Sequence, residues 1–174
     1  MSGFLSKLFG KKNHPNQQMD VQEKTQKQPI HPKTKEDFLI REINISCYIE
    51  PEYKDIALKQ VNKEIDIFAD KNSKEYMKVL TKKAIATFEK PKDAFFAVQR
   101  SASVKFNMLD TLSRFELLGY KEFDYGCPND ERDCNWCSSQ SGKTFPINTD
   151  IVKLVEDNCE CEYNRSVLLP KVEW

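Results

Sequence analysis

Residues 134–161 read CNWCSSQSGKTFPINTDIVKLVEDNCEC, a Cys-x2-Cys pair and a Cys-x-Cys pair separated by 21 residues, holding four of the chain's six cysteines. A Cys-x2-Cys turn can aim two sulfurs at one ion, and tetrahedral zinc with bonds of about 2.3 Å sets its sulfurs roughly 3.8 Å apart. In extended chain, residues i and i+2 share a face, so Cys159 and Cys161 can complete the tetrahedron while Glu160 faces away. The spacing therefore permits a closed structural zinc site of Cys134, Cys137, Cys159 and Cys161. Such a site carries −2, and Arg132, Lys143, Lys153 and Arg165 are the cations nearest in sequence, amid a larger number of acids. Three other readings stay open for these residues: buried reduced thiols, disulfides, and a redox pair at Cys134 and Cys137. Cys47 and Cys127 have no partner in sequence, although Cys127 is near enough to substitute as a ligand.

Around this window the chain reads as short strands and turns. Strands are expected over 120–125, 143–147 and 163–169, with a turn-rich stretch over 126–133 and a short helix over 151–156 capped by Thr149 or Asp150. Upstream the apolar period becomes helical. Tyr53, Ile56, Ala57, Val61, Ile65 and Phe68 mark one face, and Tyr76, Val79, Leu80, Ala84 and Phe88 a second, with Asp70 to Ser73 as the break and cap between them. A third helix is predicted from Pro91 to Gly119, since Pro suits a first turn and Gly the position just past a C-terminus. Ile43, Ile45, Cys47 and Ile49 alternate with Asn44, Ser46, Tyr48 and Glu50, the period of a half-buried strand ending at Pro51. The fold class that follows is α+β, a mainly helical part over 37–119 followed by a β-rich lobe over 120–174 that the cysteines clamp. At 174 residues this suits one ordinary domain with extra chain.

The extra chain is at the N-terminus. Residues 1–12 carry Phe4, Leu5, Leu8 and Phe9 at helical spacing beside lysines, which reads as an amphipathic leader: a frayed tail, a partner-docking helix, or a peripheral membrane contact. Residues 13–36, rich in Gln, Lys and Pro, read as a disordered linker. The first 36 residues carry a local charge of +4 and residues 120–174 carry −5, so the two ends are expected to attract.

Composition and motifs exclude several functions. Equal counts of 27 basic and 27 acidic residues argue against a nucleic-acid partner. Five glycines leave little for a dinucleotide loop, and Gly142-Lys143-Thr144 lacks the earlier glycine of a phosphate loop, which would fall at Cys137. His14 and His31 both lie in the linker, so no His-based catalytic set can be assembled in the folded part. Asp124, Asp130, Glu131 and Asp133 do not follow calcium-loop offsets. No catalytic residue is assigned, and the chain is expected to be non-enzymatic. No run approaches the ~20 apolar residues of a membrane span, and no secretory leader is evident, so a cytoplasmic location is expected.

With these residues in view, the segment from about Arg100 to Pro170 resembles the C-terminal module of the phage Mu F-like head-morphogenesis family, the minor head proteins. The resemblance lies in the order of its pieces: Arg100, Ser101 and Asn107 on a helix continuing to Leu118-Gly119; a strand over 120–125; Asp130 through Cys134-x-x-Cys137; Gly142-Lys143-x-Phe145-Pro146; and Asn158-Cys159-x-Cys161 before Leu169-Pro170. Family members commonly show His-Pro where this chain has Glu156-Asp157, and tend to carry Arg in place of Glu160. The resemblance implies a structural or assembly protein that binds a capsid or portal component and is associated with the virion. Read without it, the residues suit a free-standing zinc-binding interaction module recruited to a membrane surface by its leader.

Overall fold

The computed structural model describes residues 31–70 and 74–172. The amphipathic leader, most of the linker and the cap expected at Ser73 lie outside the described residues. The fold is α+β, helical first and with its strands near the C-terminus. Its axis is the long helix, spanning Lys92–Leu117 behind Pro91. Counting in chain order, the helices are α1 (Lys35–Ile45), α2 (Lys54–Val61), α3 (Tyr76–Val79), α4 (Lys82–Thr87), α5 (Lys92–Leu117), α6 (Asn135–Gln140) and α7 (Ile151–Asn158). The strands are β1 (Glu122–Gly126), β2 (Thr144–Pro146) and β3 (Val167–Pro170).

Helix α5 stops where its terminal glycine predicts. Gly119 adopts φ +85°, a left-handed conformation that costs glycine little and other residues more. Its N–H donates to the Glu116 carbonyl at 3.0 Å and the Tyr120 N–H to that of Phe115 at 3.0 Å, the paired bonds of a Schellman ending. The accompanying apolar contact is present too, with the Phe115 and Tyr120 rings 5.7 Å apart.

The strand expected over 43–49 is corrected: Lys35–Ile45 is helical. Thr34 caps it, its hydroxyl accepting from the Asp37 N–H, and Glu36 and Asp37 place negative charge at the positive end of the helix dipole. The alternation misled because only Ile43 and Ile49 are buried, whereas Ile45 is 58% exposed and Cys47 is exposed. The buried set Phe38, Glu42, Ile43 follows the helical period and lies along α5. Ile49 instead makes a single antiparallel bridge to Leu80. The two upstream helices are also shorter than expected. Lys63 takes φ +61° and ends α2, and an extended Leu80-Thr81 divides the second into α3 and α4.

Two apolar cores share the long helix. One gathers Ile43, Ile49, Ala57, Val79, Leu80, Ala84, Phe95 and Val98. The other joins Phe38, Ala102, Met108 and Leu112 to Phe123, Tyr125, Ile151, Val152, Val155 and Leu168, so α1 and α5 belong to both halves. The sheet runs β2-β1-β3, antiparallel throughout. Phe123 pairs with Phe145 across the β1–β2 ladder and Tyr125 with Leu168 across β1–β3. Strand alternation turns Phe123 and Tyr125 inward. Helix α7 is capped by Asp150, whose carboxylate accepts from the Lys153 N–H at 3.0 Å and also meets His31 Nε2 at 2.8 Å. Among the described residues, no helix is long and apolar enough to cross a membrane.

Candidate metal centre

Each cysteine pair sits at a helix end. Cys134 is the N-cap of α6 and Cys137 lies in its first turn; Cys159 is the C-cap of α7, with Cys161 two residues beyond. Helix α6 carries no apolar period and went unanticipated; it sets the Cys-x2-Cys spacing by helical geometry in place of a bare turn. The four sulfurs come together so that all lie within 4.8 Å of one another. Cys137 Sγ is 3.5 Å from Cys159 Sγ and 3.8 Å from Cys161 Sγ, near the roughly 3.8 Å that a tetrahedral thiolate site requires. No disulfide joins the six cysteines, and 3.5 Å is far beyond the S–S bond of about 2.05 Å.

N–H donors point at these sulfurs. The Cys134 N–H lies 3.2 Å from Cys161 Sγ and the Glu160 N–H 3.4 Å from Cys134 Sγ, so each cysteine segment supplies a donor to the other. The Asn164 side-chain nitrogen lies 3.3 Å from Cys137 Sγ and 3.6 Å from Cys159 Sγ. A neutral thiol accepts weakly. Convergence of donors on four sulfurs is the surrounding that thiolates need, and the donor set fits a soft divalent ion.

Without an ion the thiols differ. Burial, joined by the adjacent Cys159, pushes the Cys137 thiol far above its ordinary range, and burial pushes Cys161 up to about 12. At Cys134 burial also acts upward, but the N–H groups of Cys137 and Glu160 outweigh it and bring the thiol down to about 7. Of these three thiols, Cys134 is the one that ionises first.

Arg165 braces the entry to the site. Its guanidinium meets both oxygens of Asp130 and reaches Asp133 Oδ1 at 2.6 Å, tying the segment before Cys134 to the segment after Cys161. These bonds hold the Asp130 carboxyl well below the usual carboxylate range. Thr144 donates to Asp124 at 2.6 Å, so the Gly-Lys-Thr stretch is a turn into β2 and not the start of a helix. Cys127 stays outside the cluster, its thiol against the Asn129 side chain and the Cys137 carbonyl; Cys47 lies in the helical half. A groove of about 560 Å³ between α2 and α5, around Phe68, Phe95 and Phe96, is remote from the sulfurs in sequence and in lining.

Compared with protein-family models, curated proteins and solved structures, the chain matches none.

Proposed function

We propose that Cys134, Cys137, Cys159 and Cys161 hold one zinc ion as a structural clamp, and that the chain is a non-enzymatic assembly protein of the phage minor head kind, bound to a capsid or portal component. The observation that carries the zinc reading is the meeting of four sulfurs from two remote segments. Four protein sulfurs fill a tetrahedral shell and leave no open position for substrate, which is the mark of a structural site. Binding on the order of 10 kcal/mol or more of apparent free energy would stabilise a lobe whose sheet has only three short strands.

The assembly reading rests on the ordered pattern from Arg100 to Pro170 in the sequence. Large apolar side chains standing exposed at the end of α5, Leu117 and Leu118, and on β3, Val167 and Leu169, support a role in protein contacts. The test is co-expression of the tagged full-length chain with head and portal proteins. Recovery of a stable complex supports the assembly role. A zinc-loaded chain that associates with none of them leaves the free-standing zinc-binding interaction module in its place. Chelation supplies the structural arm: hydrogen exchange should rise over residues 127–166 while the Ala94–Val98 stretch of α5, in the helical core, keeps its protection.

A further inference from the structure

A closed four-thiolate site around a divalent ion carries −2, and partly buried charge needs compensation. The cations nearest in sequence are engaged elsewhere. Arg165 is held by Asp130 and Asp133, Arg132 by Asp130, Lys153 by Asp157, and Lys143 by the Gln140 side chain. Each sulfur meets an N–H instead: Cys161 that of Cys134, Cys134 that of Glu160, and both Cys137 and Cys159 that of Asn164. Two of the four thus depend on a single side chain.

The orientation of that side chain is fixed. Asn164 is 4% exposed. Its Oδ1 accepts the Ser166 N–H at 3.0 Å, which turns the amide nitrogen towards the cluster and settles which end is which. The amide nitrogen lies 2.9 Å from the Tyr125 hydroxyl oxygen as well as within hydrogen-bond reach of the two sulfurs. Tyr125 OH lies in turn 2.5 Å from Ser166 Oγ and 3.8 Å from Cys137 Sγ. This buried network has every member partnered.

We infer that Asn164 is an outer-sphere component of the metal site, a positioning residue whose amide offsets the charge of the Cys137 and Cys159 thiolates and so sets how tightly and in what electronic state the metal is held. The inference rests on the metal reading and deepens it. Outer-shell partners of this kind typically change metal affinity 10–100-fold. A donor to a thiolate also lowers the energy of its sulfur lone pair, so losing the donor moves a thiolate-to-metal charge-transfer band to longer wavelength.

The test uses the full-length chain. Cobalt(II) is titrated into the metal-free wild type, Asn164→Leu and Asn164→Asp, with zinc affinity read by chelator competition. Wild type is expected to show a four-thiolate cobalt spectrum. Both variants are expected to shift its charge-transfer band to longer wavelength and to weaken zinc about 10–100-fold, Asp most because it turns an oxygen on the sulfurs. A second measurement needs no variant: in cadmium-113-loaded, nitrogen-15-labelled wild type, the Asn164 amide proton should show scalar coupling to the metal through the N–H···S bond. A wild type without four-thiolate bands removes the metal reading itself. Wild-type bands with unmoved variant bands, even alongside weaker zinc binding, overturn the role of Asn164 alone, as does an absent cadmium coupling.

Discussion

Lys105 Nζ on α5 lies 2.7 Å from Glu42 Oε1 on α1, an ion pair whose side chains are 8% and 7% exposed. The same ammonium reaches Glu156 on α7 at 3.2 Å. Glu156 also takes Arg41 at 2.6 Å, and the second oxygen of Glu42 accepts from Ser101 at 2.7 Å. One buried cation therefore joins the first helix, the axial helix and the helix that delivers Cys159.

Lys105→Met keeps the length of the side chain and removes its charge, leaving Glu42 buried without its partner. Breaking one side of a buried pair costs about 3–5 kcal/mol, and urea unfolding of the variant is expected to show a loss of that size. Adding Glu42→Gln should recover part of it, because the uncompensated charge is then gone. A double variant as unstable as the sum of the singles would remove the coupling between them.

The thiols set the pH response of the metal-free chain. Cys134 ionises near 7 in the fold against about 8.5 in an unfolded chain, so it contributes stability above the unfolded value that is lost as pH falls through 7. Cys161 is shifted the other way; its contribution is present below the unfolded value and is lost as pH rises towards 12. Metal-free protein should therefore gain stability from pH 7 to about 8.5 and lose it beyond. Cys134→Ser should abolish the rise and keep the alkaline fall. A rise that survives in Cys134→Ser assigns the titration to another group.

Gly119→Ala tests the end of α5. With φ at +85° and nothing within 4 Å of the place an alanine methyl would take, the cost is conformational and not steric, about 1 kcal/mol. Thermal unfolding should shift by that amount with the helical content unchanged. An equal or higher melting temperature would mean that the left-handed turn relaxes freely.

How far the sequence could be read varied with the source of the signal. Pro91 and Gly119 announced α5, and the pair Thr149 and Asp150, of which Asp150 is the cap, announced α7, because capping is local chemistry. Phe123 and Tyr125 followed strand alternation. Ile43 to Ile49 misled because two of the four alternating residues, Ile45 and Cys47, face solvent, and the cap at Thr34 lay inside a stretch whose composition looked unstructured. The cysteine spacing allowed the cluster without requiring it. Asn164 and Ser166 were invisible, since buried polar residues three and five positions past the last cysteine have no periodic or spacing mark. Tyr125 did carry a hint, because an inward-facing tyrosine needs a partner for its hydroxyl.

Closure of four sulfurs from two segments on one metal ion is tested most directly by elemental analysis of full-length protein purified without chelator, alongside Cys159→Ser. One zinc per wild-type chain is expected, with loss of bound zinc and a loosened C-terminal lobe in the variant. A metal-free wild type with four freely titrating thiols, and a Cys159→Ser protein of unchanged stability, would contradict it.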